Sequence, residues 1–194
     1  DGLTDYILDG QTFDLAAVES IATDPRHVAT SPFTSYNFHG KGNFASMVDA
    51  TVLGATEVDV SFNANVVTHS DGLLLHGIGG WQNCLSAGCT ILAIPSFRDR
   101  IPVIVDEVTT LTGPEELIDV VVTERGIAIN PRRGDLLERV RGSDLPIRPI
   151  GDIKEEVERM IGGKPQPPRL TDTPVAVVKW VDGTVMDTVW QVAG

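Results

Sequence analysis

Three glycines within four positions, Gly77, Gly79 and Gly80, stand in the segment Leu75-His76-Gly77-Ile78-Gly79-Gly80-Trp81-Gln82-Asn83, directly after an apolar run. Backbone that carries no Cβ lets N–H groups converge on an anion or on a developing oxyanion. The spacing is not a dinucleotide fingerprint, which needs G-x-G-x-x-G opening a helix and an acidic residue about 20 positions on. The same glycines could instead close a tight turn that holds no ligand. A second group is Asn63 and Asn65. On an extended segment, alternate residues face the same way, so the two carboxamides could address one pocket, or they could cap backbone groups in a turn. His69 and His76 follow, with no carboxylate at a spacing that marks an acid–base pair.

A third group is Arg98 and Arg100, in Pro95-Ser96-Phe97-Arg98-Asp99-Arg100-Ile101-Pro102, between two apolar runs. Guanidinium forks match carboxylates and phosphates, so this stretch could hold a polycarboxylic acid or a nucleotide-bearing thiol, unless Asp99 and other acids neutralise it. Glu107 and Glu124 each leave the end of a predicted strand, where open α/β sheets bind ligands.

The chain has 194 residues and a formal net charge of −12. That balance excludes a nucleic-acid surface, which needs clustered Lys and Arg. Arg98, Arg100, Arg125, Arg132 and Arg133 all fall between residues 98 and 133, so cationic recognition is concentrated there. Two cysteines, Cys84 and Cys89, lack a His or Cys cluster beside them; neither a metal site nor a disulfide framework is expected, and the chain reads as reduced and cytoplasmic. No run approaches the ~18 to 20 apolar residues of a membrane helix, and no apolar signal core opens the sequence.

The elements that must position these residues follow from periodicity and punctuation. A short strand is predicted at 6–8 and a helix over 13–22, started by Asp14 and stopped by Asp24-Pro25. Residues 30–43 read as a loop, 45–48 as a short helix, 50–54 as a buried strand and 57–60 as an extended piece. Apolar runs at 90–94, 102–105 and 118–123 read as strands covered on both faces. Helices are expected at 135–141 and 153–161, between them. Two β-branched runs, 175–181 and 184–192, flank Asp182-Gly183, the signature of a hairpin. These elements predict an α/β fold: an open, mostly parallel sheet with helices on both faces and a small C-terminal β-hairpin. Residues 1–161 would form one domain, and 162–194 a linker and hairpin packed on it.

Taken in order, Ala50-Thr51-Val52-Leu53-Gly54-Ala55-Thr56-Glu57-Val58-Asp59, Phe62-Asn63-Ala64-Asn65-Val66 and Gly77-Ile78-Gly79-Gly80 resemble the motif run of the β-type domain of the CoA-transferase superfamily. Ser70-Asp71-Gly72, Arg98-x-Arg100-Ile101-Pro102, Val105-Asp106-x-Val108-Thr109-Thr110, Ile118-Asp119-Val120-Val121-Val122-Thr123 and Gly126-Ile127-Ala128-Ile129-Asn130-Pro131-Arg132 narrow the resemblance to the C-terminal half of the citrate lyase alpha chains, the citrate CoA-transferases.

The resemblance implies a CoA-transferase-type sheet and an acyl-CoA or phosphopantetheine-type thioester as substrate, with no tightly bound cofactor. It also implies citrate or a related carboxylic acid, citrate lyase beta and gamma chains as partners (the gamma chain being the acyl carrier), an α-type half outside these 194 residues, and an oligomer. Gly79 and Gly80 would supply oxyanion donors, and Asn63 and Asn65 would shape the pantetheine channel. Gly77, Gln82 and Asn83 would face the thioester, and Arg98 and Arg100 would meet carboxylates. Where many such chains read Gly-Gly-His-x-Asp, this one reads Gly80-Trp81-Gln82-Asn83. Leu8-Asp9-Gly10-Gln11 has no Glu where related enzymes carry a nucleophile, which agrees with direct attack by the substrate carboxylate and a mixed anhydride. A non-catalytic binding or assembly domain of the same fold is the other reading of these residues.

Overall fold

The structure, a computed structural model, describes residues 4–31, 44–99, 101–164 and 166–194. Arg100 and most of the 30–43 loop lie outside the described residues.

The chain opens with β1 (Ile7–Asp9), α1 (Leu15–Thr23) and β2 (His27–Ala29), the two strands pairing in parallel. Asp14 starts the helix as its residue type predicts, its carboxylate accepting from Ala17 N–H at 2.7 Å. A 3₁₀ turn, Ala45–Met47, stands where a short helix was expected. Then come β3 (Thr51–Leu53), β4 (Glu57–Asp59), β5 (Ala64–Asn65), α2 (Trp81–Cys84) and β6 (Thr90–Ala93). Next are β7 (Phe97–Arg98), β8 (Ile101–Pro102), β9 (Ile104–Val105), β10 (Val120–Thr123) and β11 (Gly126–Ile129). The chain closes with α3 (Gly134–Arg139), α4 (Ile150–Ile161), β12 (Leu170–Lys179) and β13 (Val185–Val192).

The architecture is α/β. One sheet has the order β11-β10-β6-β3, with β3, β6 and β10 parallel and β11 antiparallel at the edge; a second has the order β5-β4-β9, with β4 and β9 parallel. Three expectations are corrected. The 50–54 run is not buried on both faces: among the described residues β3 pairs only with β6, and Val52 is 66% exposed. The 102–105 run is not one strand, because Pro102 pairs with Phe97 in the β7–β8 hairpin while Ile104 pairs with Val58 in the second sheet. The helices do not lie between the parallel strands: α3 and α4 follow β10 and β11, and the β6-to-β10 connection runs through β7, β8 and β9.

A single core cluster joins both sheets, with Val58, Ala64, Leu92, Ile104, Ile118 and Val121 fully buried. Each Val, Leu or Ile side chain among them contributes about 1.5–3 kcal/mol of transfer free energy. From α4 the residues Ile150, Ile153, Lys154 and Val157 are buried, spaced as one helix face requires. Pro149 precedes that helix and Gly162, in the left-handed region at φ 92°, ends it. The C-terminal hairpin turns at Gly183 (φ 92°), as Asp182-Gly183 predicts, and sends Val178 and Val189 into the same core. Its Asp187 carboxylate accepts from Leu111 N–H at 2.7 Å. By contrast, α1 buries no residue, and Phe13 and Leu15 are 82% and 86% exposed. Among the described residues, no helix is long and apolar enough to cross a membrane.

Candidate functional site

The parallel strands β3 and β6 end side by side, and the segments that leave them carry the candidate residues. The glycine-rich segment is tied down at both ends. Leu75 N–H donates to Val67 O at 2.8 Å, and the Trp81 indole Nε1–H donates to Gly54 O at 2.8 Å, just past β3. Between these ties Gly77 and Gly79 are exposed, and a Cβ built on either would meet nothing within 4 Å. Gly79 is in the left-handed region at φ 61°, which a side chain strains. Gly80 is not: at φ −86° it caps α2 in a conformation open to other residues. The glycine requirement therefore sits at Gly79.

Arg98 reaches the same backbone from the other side. Its Nη2 donates to Ala55 O at 2.8 Å and its Nη1 to Thr56 O at 3.2 Å. Three consecutive carbonyls, of Gly54, Ala55 and Thr56, thus bring the glycine segment and Arg98 together at the carboxyl end of β3. Among the described residues Arg98 has no carboxylate partner, and its guanidinium has more donors than these two bonds use. Arg125, Arg132 and Arg133 differ. Arg125 pairs with Glu156 at 3.1 Å, Arg132 with Glu115 at 3.1 Å, and Arg133 with Asp119 at 2.9 Å and Asp135 at 2.8 Å.

The carboxamides are engaged inside the fold. Asn65 is fully buried: its Nδ2 donates to Glu57 Oε2 at 2.7 Å and Thr68 Oγ1 at 2.9 Å, and its Oδ1 accepts from the amides of Val67 and Thr68 at 3.1 Å. Asn63 donates to Asp59 Oδ2 at 3.0 Å and accepts from Glu115 N–H at 3.0 Å. Both therefore set the β4–β5 turn. Gln82, buried, donates to Thr112 O at 3.0 Å, and the Asn83 carbonyl accepts from the Ser86 hydroxyl at 2.7 Å.

An apolar cleft of about 390 Å³ adjoins Gly77, lined by Leu74, Leu75 and Ile78 and by Ala176, Val178 and Val189 of the hairpin. Burial raises the pKa of both Cys84 and Cys89, with Asp119 adding to the effect at Cys89, so neither is a ready thiolate nucleophile. Glu124, which the sequence placed at a strand end, binds Ser96 through its carboxylate.

The role of Trp81 was not legible in the sequence; its indole lies against Gly113, where an added Cβ would stand 2.5 Å from Cη2. Gly113→Ala is accordingly expected to push the indole off Gly54. Overpacking of this kind costs about 2 kcal/mol, or a Tm fall of roughly 4–8 °C. Melting and tryptophan fluorescence, referenced to Trp81→Phe, read the displacement; a variant matching the parent in both refutes the anchoring role.

Comparison with known proteins places these residues in a family. The model of the family described as citrate lyase, alpha subunit (CitF), matches residues 1–192. The citrate lyase alpha chain of Haemophilus influenzae is 41% identical over 192 residues, covering 98% of this chain and 38% of that one. The alpha chain of Escherichia coli is 40% identical with the same coverage. The structure of an alpha subunit of citrate lyase from Streptococcus mutans, solved in complex with citrate, superposes with a TM-score of 0.92 at 37% identity, covering 100% of this chain and 38% of that chain. The 194 residues thus span 38% of the length of these relatives, and over that span the chain belongs to the citrate lyase alpha subunit family.

Proposed function

We propose that this chain is the thioester-binding part of a cytoplasmic citrate CoA-transferase, which exchanges acetyl for citryl on an acyl-carrier thiol together with an α-type half and with citrate lyase beta and gamma chains. A carboxylate oxygen of citrate attacks the acetyl thioester carbonyl. The tetrahedral oxyanion collapses to the acetyl–citryl anhydride with loss of the thiolate, which then attacks the citryl carbonyl and releases acetate. Chemistry of this kind asks the protein for position and oxyanion stabilisation. Gly79 and Gly80 supply backbone N–H donors, and the apolar cleft beside Gly77 and Ile78 receives the pantetheine-type arm. Asn63 and Asn65 act through the turn they hold, and Gln82 and Asn83 through α2.

One observation carries this reading: Arg98, without a carboxylate of its own among the described residues, is bound to the backbone segment that also anchors the glycine loop. Citrate bears about three negative charges at neutral pH and a chain of net charge −12 repels it, so local cations must hold it. That the Streptococcus mutans relative was solved with citrate supports citrate as the acid.

Arg98→Lys keeps the charge and removes the planar fork. In the full-length alpha chain assembled with its acyl carrier, it is expected to lower kcat/KM for citrate about tenfold, about 1.4 kcal/mol, with the thioester KM unchanged. Unaltered citrate use by this variant would exclude Arg98 as the acid's partner.

A further inference from the structure

We propose that Glu124 and Arg125 are positioning residues that aim Arg98 at the acid substrate; this rests on Arg98 being the partner of the acid's carboxylate.

Arg98 sits on β7, two residues after Ser96, and Ser96 is fully buried with all three of its polar groups held. Its N–H donates to Glu124 Oε2 at 2.9 Å, its hydroxyl donates to Glu124 Oε1, and its carbonyl accepts from Val103 N–H at 3.0 Å. Glu124 therefore grips the root of the β7–β8 hairpin with both carboxylate oxygens. Arg125 grips it again: Nε donates to the Ser96 hydroxyl at 3.1 Å, and the guanidinium lies over the Phe97 ring at 5.6 Å. Arg125 is itself braced by Glu156 of α4 at 3.1 Å, and the same carboxylate takes Arg148 at 2.6 Å.

Glu124 and Arg125 are the two residues of the β10–β11 turn, whose flanking pair is Thr123 with Gly126. The turn at the end of one parallel strand thus holds the segment leaving its neighbour, β6, immediately before the arginine. The clamp also biases ionisation. Desolvation pushes the Glu124 carboxyl upward, but the hydrogen bonds from the Ser96 hydroxyl and amide outweigh it and hold the group below the usual carboxylate range. The clamp is therefore formed with a carboxylate, which accepts twice. A carboxamide cannot accept at both atoms, so Glu124→Gln opens half of it. Because the Glu124 side chain is 52% exposed, its loss should move Arg98 more than it moves the fold.

The test is a double-mutant cycle in the full-length alpha chain assembled with its acyl carrier. Glu124→Gln alone is expected to raise KM for citrate about threefold to fivefold, with kcat and the thioester KM unchanged and Tm within about 2 °C of the parent. Arg125→Lys, which loses Nε and the planar stack, should act in the same direction. In an Arg98→Lys background, Glu124→Gln should add nothing, since the residue through which it works is already altered. An effect of Glu124→Gln that persists at full size in that background, or one that falls on the thioester, overturns the positioning role alone. If Arg98→Lys by itself uses citrate like the parent, the acid site at Arg98 is lost, and the positioning role goes with it.

Discussion

Gly79→Val is expected to lower kcat/KM for the acyl thioester at least a hundredfold while leaving the fold in place. Loss of one oxyanion donor costs about 10²–10³ in rate, and here the new side chain would also occupy the approach. An added Cβ at Gly79 meets no protein atom within 4 Å, so the valine branches would project into the space a ligand must use. The φ of 61° adds local strain of about 1–2 kcal/mol for a β-branched residue, a Tm fall of a few degrees. Strain is separated from site chemistry by Gly142→Val. Gly142 follows α3 and has φ 77° with equally open surroundings, so it carries the same backbone penalty away from the glycine segment. Both variants should melt slightly early, and only Gly79→Val should lose the thioester. Calorimetric titration of a CoA thioester into the assembled complex gives the same comparison for binding. Equal affinity for Gly79→Val and parent would remove the glycine segment from the site.

What the sequence made legible was local. Asp14 opening α1 and Gly183 turning the hairpin are decided by residues within a few positions, and both stand as their types predict. Long apolar runs were legible as strands but not in their partners. Pro-Val-Ile-Val at 102–105 has the composition of one buried strand. Yet Val103 N–H bonds Ser96 O while Ile104 pairs with Val58, and nothing in the run itself assigns its halves to different sheets. The site follows the same rule. The five arginines between residues 98 and 133 look alike in sequence. What separates Arg98 from Arg125 is that Glu156 lies 31 positions from Arg125, whereas the groups facing Arg98 are backbone carbonyls about 42 positions back. Asn63 and Asn65 show the cost of judging polar residues by alternation alone. Their partners, Asp59, Glu57, Thr68 and Glu115, are fixed by how β4, β5 and the 3₁₀ turn Glu115–Leu117 meet, and they engage both carboxamides within the protein.

The 194-residue chain alone is expected to transfer no acyl groups, although it should melt cooperatively around its single core. Backbone donors stabilise an oxyanion strongly only where water is excluded, because bulk solvent screens them and competes for the same charge. Gly77 and Gly79 are exposed in this chain, and the cleft beside Gly77 is lined by Val67, by its own segment and by the hairpin. The citrate lyase alpha chains it matches are longer, this chain spanning 38% of their length, and under the proposed function another part of such a chain closes the site. The surface supports a missing neighbour: Tyr6, Phe13, Leu15 and Val18 are each more than half exposed, around a helix that buries nothing, and such a patch on a chain of net charge −12 is the kind that a partner domain covers. The experiment follows label from an acetyl thioester into a citryl thioester, with citrate added, for the 194-residue chain and for a full-length alpha chain at equal concentration. The full-length protein should exchange. The shorter chain should match its heat-inactivated control, while far-UV circular dichroism shows it folded. Exchange by the folded short chain above that control would mean that the whole site, oxyanion donors and acid clamp together, lies within these residues.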